Sequence, residues 1–83
     1  MALRGSLRRN RLGVVRVTVR GRGSRPIAGA IVRVRGAGIV VRPRQTNRRG
    51  VVRLRLRPRV AGIVQFTADK YGYAPGRATR RVR

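Results

Sequence analysis

The sequence has no cysteine, histidine, tryptophan or glutamate, and its one acid, Asp69, stands against 23 basic residues in a chain of 83. Each absence excludes something. With no imidazole, and with a lone carboxylate among permanently charged guanidinium groups, no side chain suits proton transfer near neutral pH. An enzyme is therefore not expected, and there is no catalytic residue to name. A metal needs imidazole, thiolate or several carboxylates, so neither a metal nor a cofactor is expected. The missing cysteine leaves the redox compartment open, because a cytosolic chain and an exported chain without staples look alike in this respect. No apolar run approaches the 18 or so residues of a membrane span, and MALRGSLRRNRL lacks the apolar stretch of a secretory signal. The expectation is a soluble chain of the nucleoid, cytoplasm or a virion, or an extracellular one if it is processed or belongs to a surface fibre.

Arginine fills the space the acids leave. Lys70 is the only lysine, and the formal net charge is +22. Such a charge often marks a disordered tail, but 41% of the residues are apolar, which argues for collapse. The length bounds a single small domain that buries only about 60% of its unfolded surface.

Eleven Gly and four Pro punctuate the chain so evenly that the longest run free of both is Ile63 to Tyr71. That leaves no room for ordinary helices. Val and Ile dominate the apolar set, and β-branched side chains suit a pleated, half-buried surface. The fold class is all-β. Gly followed by two β-branched residues recurs at Gly13, Gly38, Gly50 and Gly62, a turn feeding a strand each time. The predicted strands are Val14 to Arg20, Ile27 to Arg35, Ile39 to Gln45, Val51 to Arg57, Ile63 to Asp69 and Arg77 to Arg83. Residues 13–83 form the domain, and residues 1–12 are expected to be a basic, frayed N-terminal arm.

Alternation sorts the strands into two faces. Val15, Val17 and Val19 oppose Arg16, Thr18 and Arg20. Val32 and Val34 oppose Arg33 and Arg35, and Val52, Leu54 and Leu56 oppose Arg53, Arg55 and Arg57. Val64, Phe66 and Ala68 oppose Gln65 and Thr67. With Ile27, Ala30 and Tyr73 these make a thin but sufficient core. The last strand is irregular, because Arg80 shares the parity of Ala78 and Val82.

The runs VVRVTVRGRGSRPIAGAIVRVRGAG, TNRRGVVRLRLRP and AGIVQFTADKYGYAP resemble the carboxypeptidase regulatory-like domain over about residues 13 to 82. That resemblance implies a small immunoglobulin-like or transthyretin-like β-sandwich of six or seven antiparallel strands, used as an accessory or adhesive module without a catalytic site. This sequence differs from the family pattern in its missing acids and its Arg-loaded outer faces.

The candidate binding residues are the arginines. Side chains two apart on a strand lie about 6.6 to 6.8 Å apart on one face. Arg53, Arg55, Arg57 and Arg59 therefore make a cationic row with a spacing comparable to that of successive phosphates. Arg33 with Arg35, and Arg16 with Arg20, are expected to widen it sideways. Guanidinium groups grip phosphate in a forked geometry. Codon bias can favour Arg over Lys, but it does not remove the acids that a solvated surface normally intersperses. Arg4, Arg8, Arg9 and Arg11 in the arm can follow a phosphate backbone or enter a minor groove.

RGRG at Arg20 to Gly23 reads as a hairpin turn, and Asn47 in TNRRG as a turn former. Phe66 has core parity, so among the aromatics only Tyr71 is placed to stack on a base. The leading reading is sequence-independent binding and coating of nucleic acid, duplex DNA before RNA, by a non-enzymatic domain. The bound form is a homo-oligomer or filament, since open edge strands can pair between copies. The alternative is an extracellular or fibre-forming module that binds an acidic glycan, a membrane surface or an acidic protein. Neither a small-molecule substrate nor a membrane span is expected.

Overall fold

Alternating β-branched and charged residues build seven strands in a computed structural model that describes Met1 to Arg83. They are β1 (Ala2–Arg4), β2 (Gly13–Thr18), β3 (Ile31–Arg35), β4 (Arg44–Gln45), β5 (Val51–Leu56), β6 (Gly62–Asp69) and β7 (Gly76–Val82). The only helical piece is a 3-10 turn at Arg22–Ser24, and no helix is long and apolar enough to cross a membrane. Two antiparallel sheets form, a three-stranded one ordered β1-β2-β5 and a four-stranded one ordered β4-β3-β6-β7. The two sheets pack face to face as a small β-sandwich.

Period-two patterning decides the core. Val15, Val17, Leu54, Leu56, Val32, Val64 and Phe66 are all at most 1% exposed, and they interdigitate between the two inner faces. At about 1.5 to 3 kcal/mol for each large side chain, this burial is the main term opposing chain entropy. Tyr73 departs from its expected inward position. It is half exposed at the β6–β7 turn, its ring 5.9 Å from the Lys70 ammonium.

The arm expected at residues 1–12 is corrected, since this segment is woven into both sheets. Ala2–Arg4 pairs with β2, after which the chain changes sheets and Leu7 bridges Val82 in parallel. The Arg83 N–H donates to the Leu7 carbonyl at 3.3 Å, and the Arg9 N–H donates to the Arg83 carbonyl at 3.0 Å. Leu7 is 2% exposed and belongs to the core. The crossing turns on Gly5, whose φ of +120° is open to glycine, and where a Cβ would collide with the Val14 carbonyl.

Four strand expectations are also shortened. The second predicted strand starts at Ile31 rather than Ile27, because a turn at Ala28–Gly29 intervenes. This turn is held by Thr46, whose buried hydroxyl accepts from Ala30 N–H at 2.9 Å and donates to the Ile27 carbonyl at 2.6 Å. Of Ile39 to Gln45 only Arg44–Gln45 pairs, since Pro43 has no N–H to give and Ile39 N–H closes a turn onto Gly36. The first strand ends at Thr18 and the fourth at Leu56, which takes Arg20 and Arg57 out of the regular ladder. Asn47 makes its turn as expected, its Oδ1 accepting from Arg49 N–H at 2.9 Å and Val51 N–H at 3.1 Å.

Candidate nucleic-acid interface

The outer face of the three-stranded sheet carries the densest cation row. Because β1, β2 and β5 pair without a bulge, their outward residues line up, and Arg4 stands opposite Arg16, which stands opposite Arg53. All three are exposed. Adjacent strands lie about 4.7 to 4.9 Å apart, so three guanidinium stems rise from a line roughly 9.5 Å long. The Val19 N–H donates to the Gly50 carbonyl at 2.7 Å, which puts Val17 and Val52 among the hydrogen-bonded positions of this ladder. Arg16 and Arg53, one step away, form a non-hydrogen-bonded pair, the kind in which opposed side chains lie closest. Arg55, two residues along β5 and opposite the exposed Val14, extends the row into a patch. Arg44 lines the same recess as Arg53 and Arg55, across the seam between the sheets. Arg11 lines a shallow hollow with Val14 at the end of this face. No acid lies on it, since Asp69 belongs to β6 of the other sheet.

This arrangement is unfavourable for a free protein. Like charges directly opposed across strands destabilise a sheet, and here the opposition occurs twice in succession. The arginines also sit on an edge. Val51 at the start of β5 is capped by Asn47, but the Arg53 and Arg55 peptide groups point away from β2 along the open side of the strand. Charged side chains on such an edge discourage pairing with another chain.

The expected sideways widening by Arg33 and Arg35 is corrected. These two lie on the four-stranded sheet, on the opposite side of the sandwich from Arg53. There Arg33 opposes Thr67, which opposes Arg77, and Arg35 opposes Gln65, which opposes Thr79. A polar residue separates the arginines in the first of these rows, and Asp69 shares the same concave surface. This second face is basic but diluted.

The remaining sequence-predicted residues are dispersed. Arg20 bridges Pro26 at the far end of the turn that RGRG begins. Arg57 follows the end of β5, while Arg59 lies in the next loop, its N–H bonded to the Ala37 carbonyl at 2.9 Å and its stem beside Gly38. Neither Arg57 nor Arg59 continues the β5 ladder. Arg8 and Arg9 belong to the crossing between sheets. Sequence reasoning missed Arg44, and it read Arg80 only as an irregularity of parity between Ala78 and Val82, without the contact that explains it. The Arg80 Nη2 donates to the Leu3 carbonyl at 2.6 Å, tying β7 to β1 across the seam.

The aromatics lie away from the arginine row. Phe66 is fully buried, and Tyr71 and Tyr73 project at the β6–β7 turn. Compared with protein-family models, with curated proteins and with solved structures, the chain matches none of them, so the arginine geometry itself carries the functional reading.

Proposed function

We propose that this domain binds nucleic acid without enzymatic activity and without regard to sequence, through the outer face of the three-stranded sheet. The observation that carries the reading is the uninterrupted Arg4–Arg16–Arg53 row with Arg55 beside it and no acid on the face. A cluster that destabilises the free fold becomes favourable once phosphates stand between the guanidinium groups, and released counterions drive the association. Duplex DNA is preferred over a single strand because no ring stands on this face to stack an unpaired base. Neutralising the β5 edge also removes the repulsion that keeps copies apart, so coating and edge pairing between copies accompany binding. Within the same proposal, the resemblance to carboxypeptidase regulatory-like domains supplies an accessory module that has been refitted with charge.

The test compares duplex DNA with heparin at equal charge concentration by scanning calorimetry. A ligand of the folded state raises the melting temperature according to RT ln(1 + [L]/Kd). DNA is expected to stabilise more than heparin if the arginine spacing matters. Clearly greater stabilisation by heparin transfers the function to an acidic glycan.

A further inference from the structure

The end of the sandwich where β6 turns into β7 is hollow. Farther along the sheets β2, β3, β5 and β6 point Val, Leu and Phe inward, but at this end the inward positions are Ala30 and Ala68, with Gly76 opposite Ala68. A cavity of about 510 Å³ remains, and the buried Val19, Ile27, Ala30 and Ala68 belong to its lining. That size suits a small-molecule site. Tyr73 stands at the rim, since a Cβ added at Gly21 would meet the Ile27 side chain at 3.1 Å and the Tyr73 ring at 3.6 Å. The only lysine of the chain lies beside it. The Lys70 ammonium donates to the Ala28 carbonyl and lies 5.9 Å from the Tyr73 ring centroid, so contacts from two different turns hold it at the cavity. An ammonium carries three donors, and the Ala28 carbonyl takes one. Asp69, the one acid on the lining, alternates with Ala68 and shares the outer concave surface of the sheet with Arg33 and Arg77.

We propose that this cavity binds a small aliphatic carboxylate, with its hydrocarbon body against Val19, Ile27, Ala30 and Ala68 and its carboxylate on the Lys70 ammonium. The lining determines both halves of that ligand. No buried polar group calls for a hydrogen-bonding body, because Thr46, the one buried polar residue of the core, already has both its partners. A hydrocarbon body is therefore driven in by the apolar area it removes from water. The head group gains a charge-assisted bond from Lys70, and Arg20 and Arg22 on the same rim add to the positive potential there. The site shares no residue with the Arg4–Arg16–Arg53 row and does not depend on the nucleic-acid reading.

The probe is octanoate, added to the full chain at constant ionic strength held with sodium chloride and followed by the methyl resonances of Ala30 and Ala68. Both methyls are buried, so anions gathered loosely on the arginine surface leave them unmoved. Octanoate is expected to shift both and to saturate. From butanoate through hexanoate to octanoate, affinity is expected to rise about threefold to fourfold for each added methylene. Octylamine, of the same length and opposite charge, is expected to bind at least about tenfold more weakly than octanoate.

Lys70→Met keeps the stem and removes the ammonium. It is expected to weaken octanoate at least about tenfold and to leave octanol unchanged, a split that a purely structural role would not produce. Ala68→Leu fills the hollow and is expected to abolish the Ala30 response to both. Should that core variant fail to fold, Lys70→Met, at an exposed position, still decides the matter. Arg16→Gln, Arg53→Gln removes two charges from the sheet face and is expected to leave octanoate binding unchanged. A response that does not grow with chain length, that octylamine matches, or that falls as far in the face variant as in Lys70→Met overturns the proposal.

Discussion

Arg16 on β2 stands directly opposite Arg53 on β5, at a non-hydrogen-bonded position of the ladder and with Arg4 opposite Arg16 on its other side. Packing does not require this row, since all three side chains are exposed. Replacing Arg16 and Arg53 by Gln should therefore preserve the fold and stabilise the free protein at low salt. The expected gain is about 0.2 to 1 kcal/mol for each opposed pair removed. DNA affinity should fall by a similar factor for unrelated sequences. Urea denaturation and fluorescence anisotropy on the same variant check both halves.

The two faces of the sandwich make a built-in control. Arg33→Gln with Arg35→Gln removes as much formal charge as the Arg16, Arg53 double substitution, but from the sheet where polar residues intervene. It is expected to weaken DNA binding less than the Arg16, Arg53 pair. Equal losses from both faces would mean that net charge alone, and not the row, governs binding.

Leu7 holds the N-terminal segment in the core, so Leu7→Ala is expected to cost about 2 to 5 kcal/mol, as for other buried leucines. Thermal denaturation of this variant checks it. An effect below about 0.5 kcal/mol, that of a surface substitution, would return residues 1–12 to the role of a loose arm.

That segment also shows where sequence reading stops. Strand parity is local, so Val15, Val17, Leu54 and Phe66 could be placed in the core from alternation alone, and they are buried. Leu3 and Leu7 were legible only as two leucines among arginines. Their alternation is interrupted where the chain changes sheets at Gly5, and the partner of Leu7 is 75 residues away at Val82. Likewise, alternation identifies Arg33 and Arg53 as outward-facing but is silent about which sheet each strand joins, because that is settled by long-range pairing. The row seen along β5 in the sequence is therefore real for Arg53 and Arg55. Its sideways extension runs through Arg16 and Arg4 instead of Arg33 and Arg35.

Thr46 is a buried polar side chain that serves two backbone groups. Thr46→Val keeps its shape and strips both bonds, leaving the Ala30 N–H and the Ile27 carbonyl buried without that partner. Each loss is expected to cost about 1 to 3 kcal/mol, and amide exchange at Ala30 should accelerate.

The central claim is that phosphate neutralisation by the Arg4–Arg16–Arg53 face drives binding, and a salt series tests it most directly. Fluorescence anisotropy with two duplexes of unrelated sequence should give the same steep line of log K against log salt. The slope should become shallower by roughly 0.9 for each phosphate that the Arg16→Gln, Arg53→Gln variant no longer neutralises. A shallow slope together with a strong preference for one duplex, or a slope unchanged in the variant, would contradict the account.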